Sequence, residues 1–337
     1  MARSKYLVVI GASAGGIEAL RTIVAALDRG FPAPIGIVLH TAPQAPGLLD
    51  AILARAGRLA AHYVVNGERL EPGHIYVAPP DYHLVIEPGI ARVTKGPKEN
   101  RFRPAIDPLF RSAAQVYGPR AIGVVLTGSL DDGAGGLWAI KQLGGCAIVQ
   151  DPREALFPSM PQHALEHVSV DYVLPLAEIA PTLELLTSVP VEPIAPSDVP
   201  EVLRAEVKIA MEENPIDVGL ERLGKPSRFA CPECHGVLLE LKEGARTKFR
   251  CHTGHAYSIA SLLAAVGEGI EDSLWTAVRA LEEGQLLMTQ VAEHLKVSHD
   301  PTGAQQLLDR ANEARRQSDV VRQLVMQREP LADVKTR

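Results

Sequence analysis

Ser13 lies in the stretch VVIGASAGGIEAL, residues 8 to 20, where an apolar run ends in a glycine-rich turn and an amphipathic segment follows. A serine flanked by glycines between a strand and a helix can present its hydroxyl as a nucleophile. Small neighbours admit a carbonyl, and the helix N-terminus offers N–H groups to an oxyanion. The same residue can instead cap the helix. A dinucleotide site is disfavoured, because serine stands where the fingerprint needs its second glycine and the next strand ends in His40 with no carboxylate beside it. No Gly-Lys-Ser/Thr follows, so the turn is not a P-loop. A serine nucleophile needs a base, and the base needs an orienting carboxylate. His40 directly follows IGIVL, while Asp131 and Asp132 follow AIGVVLTGSL and precede a second glycine-rich helix start. In an open parallel sheet the ligand crevice lies beyond the carboxyl ends of the strands, so Ser13, His40 and Asp132 can meet at one edge. Each is equally a residue type of caps and turns.

A second constellation lies far downstream. Cys231 and Cys234, in FACPECHG, have the spacing of a zinc knuckle, and Cys251 with His255, in FRCHTGHAYS, adds a Cys-x3-His half. His235 and His252 are alternative ligands; His255 is preferred because its spacing leaves a full turn to come round to the ion. Four protein ligands close a site, so a structural Zn²⁺ is expected and none for catalysis. The segments Val237 to Leu241 and Thr247 to Arg250 would complete a zinc ribbon, too small to fold well on apolar area alone.

The elements that must position these residues follow from the pattern. The 337 residues are 46% hydrophobic and 22% charged, with a net charge of −6, so the chain can bury a large core and carries no basic footprint for nucleic acid. No apolar run is long enough to span a membrane, and a cytoplasmic location is expected. To about residue 188, β-rich runs alternate with helical stretches, which predicts an α/β fold with a mostly parallel, doubly wound sheet. His74 to Ala78 and Leu84 to Ile86, joined by Pro-Pro-Asp, are expected to pair as an antiparallel hairpin. The predicted organisation is residues 1–188 for the first domain, a proline-rich linker over 189–201, and a short helix with the ribbon-like module over 202–258. A helical hairpin over 259–328, broken at Asp300-Pro301-Thr302-Gly303, and a flexible tail over 329–337 complete it. The apolar stripes of that hairpin could serve a partner or self-association.

Six collinear blocks, IGASAGGIEALRTIVAAL, IGIVLHTAP, HIYVAPPDYHLVIE, RPAIDPLFRSAA, VVLTGSLDDGAGGLWAIKQLGG and QDPREALFPSMPQHAL, resemble the catalytic domain of CheB-type chemotaxis protein-glutamate methylesterases over residues 5 to 188. The resemblance implies a nucleophile at Ser13, a base at His40 and an acid at Asp132. It implies hydrolysis of γ-glutamyl methyl esters on chemoreceptor signalling helices, with deamidation of receptor glutamines. Ala14 stands where many relatives have threonine, leaving only its N–H for an oxyanion. Ser129-Leu130 replaces a Met-Gly pair in the loop that lines the substrate groove. Well-known relatives carry a receiver domain ahead of the catalytic one. With the first strand at residue 6, the expectation is control by constitutive activity, a partner in trans or the C-terminal region. The alternative is a non-catalytic or retargeted adaptor that uses the esterase scaffold and the zinc and helical region for binding.

Overall fold

The computed structural model describes residues 6–190, 199–244, 246–329 and 331. The chain forms two compact units, Met1–Ser261 and Leu262–Arg337. The predicted linker lies mostly at 191–198 and the predicted tail mostly at 332–337, outside the described residues.

In chain order the first unit runs β1 (Leu7–Ala12), α1 (Gly16–Ala26), β2 (Ile35–Leu39), α2 (Leu49–Ala56), β3 (Ala60–Tyr63), β4 (Glu68–Arg69), β5 (His74–Val77), β6 (His83–Glu87) and β7 (Ile90–Thr94). It continues with α3 (Ile106–Tyr117), β8 (Ala121–Val125), α4 (Ala134–Gln142), β9 (Cys146–Gln150), α5 (Ser159–His167), β10 (Tyr172–Leu174) and α6 (Leu176–Ser188). Then come α7 (Glu201–Ala210), α8 (Leu220–Leu223), β11 (Lys225–Ala230), β12 (Val237–Glu243), β13 (Arg246–Cys251) and β14 (Ala256–Ser258). Helix α9 (Ile259–Val297) starts in this unit and, with α10 (Pro301–Met326), makes up the second.

Seven strands form one sheet in the order β10-β9-β8-β1-β2-β5-β3, and every pairing is parallel. Strands β1, β2 and β8 are buried along their whole length, as a parallel sheet covered on both faces requires. Alternation along β1 divides the core. Leu7 and Val9 pack in a cluster with Leu109, Phe110 and Leu137, and Val8 and Ile10 in another with Leu20, Ile23 and Leu183. Helices therefore cover both faces, and the sheet is doubly wound.

Two expectations are corrected. Strand β5 does not pair with β6: it sits inside the parallel sheet, and β6 pairs antiparallel with β7 in a separate sheet β4-β7-β6. The Pro-Pro-Asp connection carries the chain between sheets, and Glu87 and Ile90 close the hairpin instead. Helix α5 was not expected. Its Pro161 falls in the first turn, where the missing N–H has no intrahelical acceptor to lose.

Beyond α7, a four-stranded antiparallel sheet β11-β12-β13-β14 contains both strands predicted there. In the second unit, Arg322 pairs with Glu282 and lies 5.7 Å from the Trp275 ring, and Arg328 Nη1 donates to the Gly267 carbonyl at 2.9 Å. These contacts make α9 and α10 antiparallel. The expected four-residue break is shorter, since Pro301 to Gly303 form the first turn of α10. Asp300 caps that turn by accepting from the Gly303 N–H at 3.0 Å.

A buried ionic cluster ties the four-stranded sheet to the rest of its unit. Lys248 and Arg250, two residues apart on one face of β13, reach Glu99 and Glu206: Arg250 Nη2 lies 2.7 Å from Glu99 and 2.6 Å from Glu206, and Lys248 Nζ lies 3.1 Å from Glu99 and pairs with Glu206. Arg111 of α3 also pairs with Glu99, and all five side chains are buried. Burial pushes the carboxyls up, but Arg250, Lys248 and Arg111 outweigh it, holding Glu206 down to about 2 and Glu99 well below its usual range. Removing one member strands buried charge. Glu206→Gln is expected to lower stability by about 3 kcal/mol and the melting temperature by about 6–12 °C. Glu313→Gln, which breaks an exposed pair with Arg316, should leave the melting temperature essentially unchanged. Calorimetry of the two variants checks both, and equal melting temperatures would contradict the assignment.

Candidate active site

The carboxyl ends of β1, β2 and β8 are laced together beyond the regular ladder. The His40 N–H donates to the Ala12 carbonyl at 3.1 Å, the Ser13 N–H to the Thr127 carbonyl at 3.0 Å, and the Leu126 N–H to the Gly11 carbonyl at 2.9 Å. Ser13, His40 and the loop bearing Asp132 are therefore placed by main-chain bonds on adjacent strands. Chain order reverses about β1, which has β8 on one side and β2 on the other, and such a switch point is where open sheets form their crevice. Two glycines make room: Gly15 turns the chain into α1 at φ +75°, and a Cβ on Gly128 would lie 2.8 Å from the Cβ of Ser13 and 2.8 Å from Cε of Met160.

The three side chains predicted from sequence come together. Ser13 Oγ lies 3.2 Å from His40 Nδ1, and His40 Nε2 lies 2.7 Å from Asp132 Oδ2. The Nε2–H donates to the carboxylate, which leaves Nδ1 as the acceptor for the serine O–H. The two ring nitrogens thus have the opposite roles to those in the chymotrypsin triad. Phe102 stacks on the imidazole with centroids 3.8 Å apart and planes 8° from parallel. His40 and Asp132 side chains are only 2% and 1% exposed, so their bond is sheltered from water.

Asp132 is held on all sides. Its Oδ2 also accepts the Ile106 N–H at 2.6 Å, and its Oδ1 accepts Asn100 Nδ2 at 2.8 Å and the Asp107 N–H at 3.3 Å. Burial raises its pKa, but bonds and charge from His40, with Ile106 and Asn100, outweigh it and leave the carboxyl below its usual value. Asp107, buried beside it, moves the other way: burial and then the Asp132 charge push it up to about 6. Its Oδ1 accepts from the Gly133 and Gly136 N–H groups at 3.1 and 2.6 Å, which clamps the start of α4.

The predicted loop residues are arranged differently from one another. Ala14 follows Ser13 in the turn, and its carbonyl accepts from Thr127 Oγ1 at 3.0 Å. Ser129 is exposed and Leu130 is half-buried in a left-handed conformation (φ 64°); the close approach to Ser13 is made by Gly128. Asn100, Phe102 and Asp107 were not singled out from sequence. The only signal was their place in or just before the RPAIDPLFRSAA block, whose polar residues sit among apolar ones.

Cys231, Cys234, Cys251 and His255 also converge, with one ligand atom from each lying within 4.8 Å of all the others. Cys234 Sγ to Cys251 Sγ is 3.6 Å, and His255 Nδ1 lies 3.7 Å from Cys231 Sγ and 3.6 Å from Cys251 Sγ. A tetrahedron with Zn–S near 2.3 Å and Zn–N near 2.0 Å has edges of roughly 3.5–3.8 Å, so the residues fit that ion. His235 and His252 are not members of the cluster.

Comparison with known proteins follows the same division. The family description CheB methylesterase matches residues 8–183. The chain belongs to the CheB methylesterase family. A Leptospira interrogans relative is 45% identical over 174 residues, 51% of this chain and 90% of its own length. An Anaeromyxobacter dehalogenans relative, named protein-glutamate methylesterase/protein-glutamine glutaminase 2, is 42% identical over 181 residues, 54% of this chain and 53% of its own. The crystal structure of the Thermotoga maritima CheB methylesterase catalytic domain superposes with a TM-score of 0.52 at 36% identity, covering 54% of this chain and 98% of that one. In this CheB-family chain the Ser13–His40–Asp132 set lies inside the matched segment and the cysteine cluster outside it.

The opposed behaviour of the two carboxyls can be measured. Because Asp107 has its folded value raised to about 6 from 3.8, the native state holds that proton more tightly, and stability from this group is lost as pH rises from about 4 to 6. Asp107→Asn removes the loss and keeps a carbonyl for Gly133 and Gly136. Relative to wild type it should gain up to about 3 kcal/mol between pH 4 and pH 7 in urea unfolding. A difference independent of pH would overturn the assignment.

Proposed function

We propose that the protein hydrolyses γ-glutamyl methyl esters on chemoreceptor signalling helices, and deamidates protein glutamines, with Ser13 as nucleophile, His40 as base and Asp132 as the orienting acid. The observation that carries this reading is the linked set itself, with Ser13 Oγ 3.2 Å from His40 Nδ1 and His40 Nε2 2.7 Å from Asp132. The names borne by relatives at 36–45% identity give the substrate class.

Ser13 attacks the ester carbonyl as Nδ1 of His40 takes its proton. The imidazolium is stabilised by Asp132, and the proton passes to the departing methanol, or to ammonia when the substrate is a glutamine. Water, activated by the same nitrogen, then releases the glutamate. The Ser13 N–H is engaged by Thr127, so the oxyanion is assigned to the Ala14 N–H at the amino end of α1, which has no protein acceptor among the described residues. Ser129 and Leu130 line the approach. A serine, histidine and aspartate kept in this arrangement favour hydrolysis over the adaptor reading.

The cysteine cluster is read as a structural Zn²⁺ site that completes a zinc-ribbon-like module. Its thiolates suit a reducing, cytoplasmic setting, and among the described residues no helix is long and apolar enough to cross a membrane. The outer faces of α9 and α10 are available for a partner or for self-association.

Methanol release from a methylated receptor fragment tests the first reading: Ser13→Ala should lose at least about 10⁴-fold in kcat, and wild-type turnover by this variant would refute it. Elemental analysis tests the second. The purified chain should carry about one zinc, and Cys231→Ser should carry none; retention in that variant would mean another ligand set.

A further inference from the structure

The four-stranded sheet reaches the acid of the triad through loop 98–100 and through Asp131 beside it. Strand β14 pairs with residues 98–100 by main-chain bonds: the Asn100 N–H donates to the Ala256 carbonyl at 2.8 Å, and the Ala256 N–H to the Lys98 carbonyl at 3.2 Å. The Asn100 side chain then bridges. Its Oδ1 accepts the Ser258 N–H at 2.9 Å and the Ser261 hydroxyl at 3.1 Å, while its Nδ2 donates to Asp132 Oδ1 at 2.8 Å. The adjacent Asp131 is gripped by the same strands, from Ser258 Oγ at 2.6 Å and Arg246 Nη2 at 3.5 Å. Asn100, Ser258, Ser261 and Asp131 are all buried, so none of these bonds can be exchanged cheaply for water.

The cation ligands sit where they govern β14. Cys251 ends β13, His255 immediately precedes β14, and the Cys251 N–H donates to the His255 carbonyl at 3.0 Å to close the turn between them. An ion binding both side chains fixes that turn, and with it the position of Ser258. Loop 98–100 has a second anchor in Glu99, whose ionic partners include Arg111 of the catalytic layer. Loss of the ion therefore loosens Asn100 without melting the loop.

Resting on the catalytic and cation-site readings above, we infer that Asn100 is a positioning residue for Asp132, and that Zn²⁺ at Cys231, Cys234, Cys251 and His255 sets the esterase rate through β14, Ser258, Ser261 and Asn100. With its Asn100 donor lost, Oδ1 keeps only the long bond from the Asp107 N–H at 3.3 Å, and the carboxylate aims the imidazole at Ser13 less accurately. Substrate binding is untouched, so the effect falls on kcat and not on KM.

The test uses the whole 337-residue chain, zinc-loaded. It measures kcat and KM for a methylated receptor fragment and the rate of Ser13 labelling by a fluorophosphonate. Asn100→Gly, chosen because the backbone at 100 is left-handed (φ 49°), should lower kcat and labelling about 10- to 100-fold with KM within about twofold and zinc retained. Ser261→Ala, with the ion in place, should lower both about threefold, and should lower neither further in the Asn100→Gly background. Wild type stripped by a chelator should lose kcat to the Asn100→Gly level, recover on adding Zn²⁺, and show no such response in the Asn100→Gly variant. Wild-type kcat in Asn100→Gly, or full kcat in the stripped and still folded wild type, overturns the inference. If the stripped protein unfolds, additive effects of Ser261→Ala and Asn100→Gly overturn it instead. Failure of the underlying readings looks different: Ser13→Ala would stay active, or the purified chain would hold no zinc.

Discussion

The ionic cluster of Glu99, Glu206, Arg111, Lys248 and Arg250 is the constraint on which the first unit depends. Charges taken out of water are tolerated only in mutual contact, so the groups that carry them must arrive together. Glu99 comes from the loop before α3, Arg111 from α3, Glu206 from α7, and Lys248 with Arg250 from β13. An apolar interface of the same extent could slide by a residue at modest penalty, whereas a slip of one along β13 would turn both cations to the opposite face. The cluster thus gives the attachment a unique register, and the hydrogen bonds from β14 to loop 98–100 inherit their accuracy from it.

Within the parallel sheet, accuracy comes from the backbone. The ends of β1, β2 and β8 share main-chain bonds past the last ladder pair, so Ser13 and His40 are placed before any side chain chooses a rotamer. Side chains then refine the arrangement. Phe102 fixes the imidazole plane, and four donors, His40, Ile106, Asp107 and Asn100, fix the Asp132 carboxylate. Those donors explain how a buried carboxylate stays ionised next to a second buried acid, Asp107, which instead takes up the local penalty.

Legibility in the sequence followed the range of the forces involved. Strand ends bearing Ser13, His40 and Asp132 were readable because apolar runs and glycine-rich turns are local patterns, and their meeting follows from the parallel-sheet rule. The convergence of Cys231, Cys234, Cys251 and His255 was readable because knuckle spacing is local too. The pairing of β6 was misread because Pro-Pro-Asp looks like a tight turn, while the closing turn at 88–89 lies a few residues beyond. Asn100 and Phe102 were out of reach: each acts through partners far along the chain, Asp132 and Ser258 for one and His40 for the other, and a lone Asn or Phe carries no periodicity. The ionic cluster was hidden for the same reason, its members being ordinary charged residues until four segments bring them together.

The tether between β14 and the acid loop has an unusual dependence on the chain. Its first strands are peptide groups, the N–H of Ser258 and the main chain at Ala256, which every residue other than proline supplies. Point substitutions along 256–258 thus leave much of the link intact, but one residue inserted or deleted between Cys251 and Ala256 would offset it entirely. Across descendants of this chain, the length of that short turn should be guarded more strictly than its spelling.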